Sequence, residues 1–184
     1  SCNPERYVNY AYLGAAYVNA LFKTVNPRVG LVNIGSEEEK GPDDIKEANK
    51  LMKESPLNYV GYLEGKDLFE GKADVVVTDG FTGNVILKVI EGTSKYMFTE
   101  IKSLLFKNLK TKIAALLLKG ELNGFKKKMD PDINGGAPIL GVNGLVIKSH
   151  GSSNAKTIKH VVLKAYDLAG SSFMNDIRLN FENI

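Results

Sequence analysis

Three glycine-bearing segments carry the side chains best suited to chemistry in this 184-residue chain. The first is Asn33-Ile34-Gly35-Ser36-Glu37-Glu38-Glu39-Lys40-Gly41, the second Thr78-Asp79-Gly80-Phe81-Thr82-Gly83-Asn84, and the third Ser149-His150-Gly151-Ser152-Ser153. Glycine lets backbone approach a ligand closely, and Asn, Ser and Thr bring hydrogen-bond donors on short stems. A segment that feeds a helix N-terminus adds free N–H groups, which attract anions. Taken singly, each segment also has a plainer reading: a turn, a capping Asp79, a solvated Lys40, a structural His150. Convergence of all three at one sheet edge favours a small anion such as phosphate. Neither a Walker A loop nor a Gly-x-Gly-x-x-Gly fingerprint occurs, so no nucleotide is indicated.

The elements that must position these loops are legible from periodicity and punctuation. Asn3-Pro4-Glu5 starts a helix, because proline and an early acid both suit its first turn. Its apolar stripe is Val8, Ala11, Tyr12, Ala15, Val18 and Phe22, and Asn26-Pro27 stops it. Residues 28–34 read as a buried strand. Pro42-Asp43-Asp44 opens a second helix with Ile45, Ala48, Leu51 and Met52 inward, ended by Ser55-Pro56. Residues 58–63 and 73–77 are two further strands, the latter β-branched enough to be covered on both faces. After Asp79-Gly80 comes a long helix with the stripe Ile86, Val89, Ile90, Thr93, Met97, Ile101 and Leu104. Residues 145–147 form a last strand, and Ser153 caps a final helix that buries Ala155, Ile158, Val162, Ala165 and Leu168. Phe173, Ile177 and Phe181 in the tail need a partner surface. Alternating strands and helices predict a mainly parallel sheet with right-handed crossovers, in a three-layer α/β sandwich.

Composition narrows the function classes. With 43% apolar and 24% charged residues the chain is an ordinary globular one, not disordered. Its longest apolar run, Ile113 to Leu118, is far short of the roughly 20 residues that cross a bilayer. A single Cys2 and two imidazoles ten positions apart, His150 and His160, point to no disulfide, no metal and no cofactor, and to a cytosolic setting. Ser1 begins the sequence with neither an initiator Met nor a secretory leader, so a longer parent protein is expected. From Lys102 to Lys128, eight lysines stand against one acid, Glu121, a local net of +7 that leaves −4 on the rest. Ile101, Leu104, Leu105, Leu109, Ile113, Leu116 and Leu117 form an apolar stripe at helical spacing here, and Gly120 and Gly124 allow a hairpin. Its occupant stays open: a core, with the lysines solvated, is slightly favoured over a lipid interface or an acidic protein. Nucleic acid comes last, because the segment lacks stacking aromatics and the remainder is acidic.

The string from Pro27 to Gly35, Glu38 to Gly41, Ala73 to Asn84, Gly135-Gly136-Ala137-Pro138 and Lys148 to Ser153 resembles the bacterial phosphate acyltransferase family of phospholipid synthesis. The resemblance runs through nearly the whole chain. It implies an enzyme that makes acyl phosphate from inorganic phosphate and an acyl thioester on acyl carrier protein. It also implies a homodimeric α/β/α fold akin to phosphotransacetylases and isopropylmalate dehydrogenases, cytosolic and docked peripherally on the membrane. Family members are nearly twice as long and begin with a half carrying Asp-Ala-Met-Gly-Gly-Asp, which does not occur here. Residues 1–184 therefore correspond to the C-terminal portion, with a helical hairpin insertion at about 102–128, and the absent half is expected to supply part of the site.

On this resemblance phosphate attacks the thioester directly. Phosphate is already largely dianionic near neutral pH, and a thiolate leaves readily, so positioning and charge stabilisation dominate. Lys40 is assigned to phosphate or the developing oxyanion, Asn84 to the carbonyl oxygen, and His150 to the departing sulfur or to phosphate. Asn33, Gly35, Asp79, Gly80, Thr82, Gly83, Gly151, Ser152 and Ser153 line the substrate, with Asp79 orienting its loop. Cys2, far in sequence from every loop, is not assigned as a nucleophile. Leu109, Lys112, Ile113, Leu116, Leu117 and Lys119 are assigned to membrane or carrier-protein contact. The competing expectation is a non-catalytic dimerisation and membrane-docking module; a hydride-transferring relative lacks its fingerprint here.

Overall fold

The computed structural model describes residues 2–128, 136–149, 151 and 153–182. Helix α1 (Pro4–Phe22) leads into strand β1 (Val29–Val32), helix α2 (Asp43–Glu54), strand β2 (Tyr59–Leu63), a 3-10 turn (Gly65–Phe69) and strand β3 (Val75–Val77). The long α3 (Gly80–Leu105) follows, then α4 (Leu109–Leu117), α5 (Lys119–Lys128), β4 (Ala137–Pro138), β5 (Ile147–Lys148), α6 (Ala155–Ala169) and α7 (Phe173–Glu182).

Strands β2, β1 and β3, in that order, form a parallel sheet. Helices α1 and α2 pack on each other and on β3 and β2, so both cover one face of it. That layer buries Tyr7 and Ala11 of α1, Val29 and Leu31 of β1, Ala48 and Met52 of α2 and Val77 of β3. Each large apolar side chain withdrawn from water there contributes about 1.5–3 kcal/mol. A register shift between Val29 and Gly30 leaves Val60 and Gly61 without the simple alternation, and Gly61 (φ 92°) adopts a backbone that a side chain would resist. Tyr59 then sits opposite Val29 and Tyr62 opposite Leu31, so both tyrosines, three apart, turn toward the helices. On the far face Val76 and Val60 remain exposed.

The helix starts were readable. The Asn3 side chain accepts from Glu5 N–H, and Asp79 from Phe81 and Thr82 N–H. The buried faces were less so. Phe22, expected in the core, is 68% exposed, while Tyr7, Leu13 and Ala16 are buried, because α1 is contacted by α2, β3 and α7 together. The cap of α6 is Asn154, whose side chain accepts from Thr157 N–H, not Ser153. Its inward stripe is Thr157, Val161, Lys164 and Leu168, leaving Ile158 and Val162 exposed. Apolar counting passes over Lys164, whose ammonium donates to Gly136 C=O at 3.1 Å.

The last strand is also corrected. It is β5, and it pairs antiparallel with β4 (Ala137 with Lys148, Pro138 with Ile147) in a separate two-stranded sheet. The link at residues 139–146 is too short for the crossover that a parallel partner needs. The tail finds its partner on this chain: Phe173 is 1% exposed, edge-on to Tyr17 with ring centroids 5.9 Å apart, beside Ala20 and Leu168. Ile177 packs on the same cluster. The side chain of Phe181 lies outside the described residues.

In the basic segment the breaks fall at residues 106–108 and at Leu118, not at Gly120 or Gly124, which lie inside α5. Asn108 and Thr111 close a reciprocal capping pair at the start of α4. Phe125 of α5 meets Phe98 of α3 with ring centroids 5.6 Å apart, so the chain doubles back. Within the described residues of this chain the segment has no core to face. Leu116 and Leu117 are 70% and 81% exposed, and no residue of α3 or α4 is buried. The α3 stripe from Ile86 to Leu104 likewise lies outside the core.

Candidate active site

In an open parallel sheet, ligands bind outside the carboxyl ends of the strands, where chain connections leave in opposite directions. With β1 in the middle of the order β2-β1-β3, that place is the crevice between the loops after β1 and β3. These loops are residues 33–41 and 78–84, two of the three segments singled out by composition. Strand order does not bring the third segment to them, since it follows β5 in the other sheet. Its His150 and Ser152 lie outside the described residues. Ser149 and Ser153 share a hydroxyl–hydroxyl hydrogen bond of 2.6 Å, and Gly151 is exposed.

The loop after β1 is held from inside by Asn33. Its buried amide donates to Lys40 C=O and accepts from Ile34 N–H, each at 2.9 Å. Gly41 (φ 91°) makes room: a Cβ there would stand 2.1 Å from Asn33 Oδ1. Gly35 is similarly hemmed in by the Lys40 stem. Lys40 Nζ forms an ion pair of 2.7 Å with Glu37, and both side chains are about half exposed. That hydrogen bond raises the affinity of Lys40 for its proton and lowers that of Glu37, and the carboxylates of Glu64 and Glu39 push Lys40 the same way.

The loop after β3 is organised by Asp79. Its carboxylate accepts from Phe81 and Thr82 N–H at 2.9 Å each, taking up the first donors of α3. Burial pushes Asp79 upward, yet the hydrogen bonds from Thr82 and Phe81 outweigh it and hold the carboxyl below its usual range. Gly80 is exposed; Gly83 is half-buried, its N–H bonded to Asp79 C=O. Asn84 stands exposed one turn into the helix.

The start of α1 arrives at the same edge, which local sequence does not announce. The charges of Asp79 and Asp44 both reach Cys2 and the buried Tyr7. Sequence distance therefore misplaced Cys2, although burial, opposed by Arg6, raises its thiol and keeps it a poor nucleophile. Burial foremost raises Tyr7 as well. A second omission is the loop after β2, which qualifies by the same strand-end rule. There Asp67, buried in the 3-10 turn, accepts from Glu64 N–H at 2.8 Å and pairs with Lys72 at 2.5 Å. No group of His, Cys, Asp and Glu among the described residues could hold a metal ion.

The residues assigned to lipid or carrier contact lie apart from the crevice, on α4 and the start of α5. Leu109, Ile113, Leu116 and Leu117 are exposed there beside Lys112 and Lys119. Among the described residues no helix is long and apolar enough to cross a membrane.

These features define a mixed α/β protein with a three-stranded parallel sheet, at whose carboxyl edge the loops after β1 and β3 lie side by side. The sequence matches the family described as fatty acid synthesis protein over residues 1–176, and the chain belongs to that family. It is 51% identical over 183 residues to a phosphate acyltransferase of Acetivibrio thermocellus, covering 100% of this chain and 54% of the relative. Phosphate acyltransferases of Alkaliphilus oremlandii (46% over 176 residues; 96% and 52% covered) and Anoxybacillus flavithermus (45% over 181; 98% and 55%) are similar. The chain spans about half the length of these relatives. The resemblance carried by its motifs is thereby borne out.

Proposed function

We propose that the protein to which this chain belongs transfers an acyl group from a thioester on acyl carrier protein to inorganic phosphate, in phospholipid synthesis. The observation that carries the reading is the meeting of two motif loops at the β1/β3 switch point, in a chain whose relatives bear the name phosphate acyltransferase. A phosphate oxygen attacks the thioester carbon and the C–S bond breaks; the sulfur leaves as thiolate and takes a proton.

Lys40 exchanges its Glu37 partner for phosphate or the oxyanion, a role suited to a flexible point charge. The Asn84 amide donates to the carbonyl oxygen, a kind of contact whose loss costs ~10²–10³ in rate. His150 protonates the sulfur or binds phosphate. The loop side chains Asn33 and Asp79, with Gly35, Gly80, Thr82, Gly83, Gly151, Ser152 and Ser153, shape the cradle. The remaining half of the family length covers the open face at Val60 and Val76, completing a three-layer sandwich, and two copies pair.

The exposed apolar stripe and lysines of α4 support peripheral contact with membrane or with the acidic carrier. This same feature favours a second reading, a docking module whose chemistry resides elsewhere. Acyl-phosphate formation by the full-length protein separates the two readings: Lys40→Ala and Asn84→Ala each reduce it at least about a hundredfold if the crevice is the active site. Near-normal turnover in both defeats the assignment.

A further inference from the structure

Along α3 lies a cavity of about 630 Å³, within the range of small-molecule sites and walled almost wholly by apolar side chains. Its near end is formed by Gly65 and Val85, its far end by Ile101 and Phe125. The near end belongs to the strand-end edge. Gly65 lies two residues past the end of β2, and the adjacent Glu64 is close enough for its charge to act on Lys40. Val85 directly follows Asn84. The near end of the apolar arm is thus lined by the residues next to Glu64 and Asn84, on the side of the loops that carry an ammonium and an amide. That arrangement matches a molecule with a reactive polar end and an alkyl tail.

We propose that this trough is the acyl-chain subsite, with the thioester at Asn84 and the methyl end of a hexadecanoyl chain, ~19 Å away, beside Met97 and Phe98. The proposal rests on the phosphate acyltransferase reading. At 1.5 Å per residue, Val85 to Ile101 spans ~24 Å. Carbon–carbon bonds near 1.5 Å advance an extended chain by ~1.25 Å per methylene, so the arm takes a long acyl chain and is left half empty by a short one. Each methylene moved from water into the trough strengthens binding about fourfold. The wall is firm, because the 3-10 turn is fastened through Asp67 and α5 through the Phe98–Phe125 contact.

Thr93 lines the trough halfway and is exposed, so a larger side chain fills space without entering the core. It lies nine residues past Asn84, ~13 Å along the axis, beyond the reach of an octanoyl chain and well within that of a hexadecanoyl chain. In the full-length protein, Thr93→Trp lowers kcat/KM for a hexadecanoyl thioester at least tenfold more than for an octanoyl one. Tyr96→Trp, off the trough, shifts that ratio less than twofold. A hexadecanoyl thioester of acyl carrier protein with a diazirine at its methyl end photolabels peptides holding Met97 or Phe98, whether or not turnover occurs. Equal losses for both chain lengths, or label distributed elsewhere, overturns the subsite and shows the trough to be filled by protein. Absence of acyl phosphate with correct labelling refutes the reaction while leaving the subsite standing.

Discussion

Replacing Gly41 with alanine tests how the crevice loop is held. A residue with a side chain at φ 91° carries backbone strain of about 1–2 kcal/mol. The new Cβ would also stand 2.1 Å from Oδ1, 2.9 Å from Cγ and 3.1 Å from Nδ2 of Asn33, so the amide must turn away. Turning breaks its bonds to Ile34 N–H and Lys40 C=O, and a buried amide stripped of partners costs about 1–3 kcal/mol more. The expected loss is about 2–5 kcal/mol, read as a lower urea midpoint at unchanged slope. Gly71→Ala is the control: φ is 68° but nothing lies within 4 Å of its added Cβ, so only the strain of about 1–2 kcal/mol applies. In an Asn33→Ala background the clash is gone, and Gly41→Ala should cost no more than the control. Equal costs for Gly41→Ala and Gly71→Ala in the natural background refute the clamp.

Three further outcomes are expected. Phe173→Ala removes a side chain 1% exposed and should destabilise by about 3–5 kcal/mol in thermal or urea unfolding; a cost under about 1 kcal/mol would detach α7 from the core. Asp74, hydrogen-bonded by Arg28, is held at about 2 against an ordinary 3.8. A depressed carboxyl stabilises only while ionised. The midpoint difference between the natural protein and Asp74→Asn should therefore be full above pH ~4 and vanish as pH falls toward 2. A difference that persists at pH 2 contradicts the pairing. Leu116→Glu with Leu117→Glu, both on an exposed face, should leave the unfolding midpoint within about 0.5 kcal/mol of its value while cutting co-sedimentation with anionic vesicles; unchanged lipid binding removes α4 from membrane contact.

What the sequence disclosed and what it withheld divide by range. Asn3 and Asp79 mark helix starts through bonds to neighbours two or three positions on, so a short window contains the whole signal. The loops at 33–41 and 78–84 stood out for the same reason. The stripe of α3 disclosed that the helix has an apolar face, but periodicity carries no information about what lies against that face. The pairing of β5 with β4 depended on the brevity of the link at 139–146, and the position of Cys2 on the packing of α1 against β3; both are long-range facts. Lys164 shows a subtler failure, a charged residue occupying an inward position because its ammonium finds Gly136 C=O.

The extra residue in β2 has a mechanical consequence. It acts as a phase shifter: upstream of Gly61 the strand keeps one parity, downstream the opposite. Excising Gly61 would leave Tyr59 two positions from Tyr62, on the same face by plain alternation and still opposite Val29, so its hydroxyl would keep the 2.7 Å bond to the Asn49 side-chain oxygen while Leu63 and the loop beginning at Glu64 stay in step with β1. Removing the extra residue would thus straighten the kink without turning either tyrosine, and the edge that faces the crevice would keep its registration.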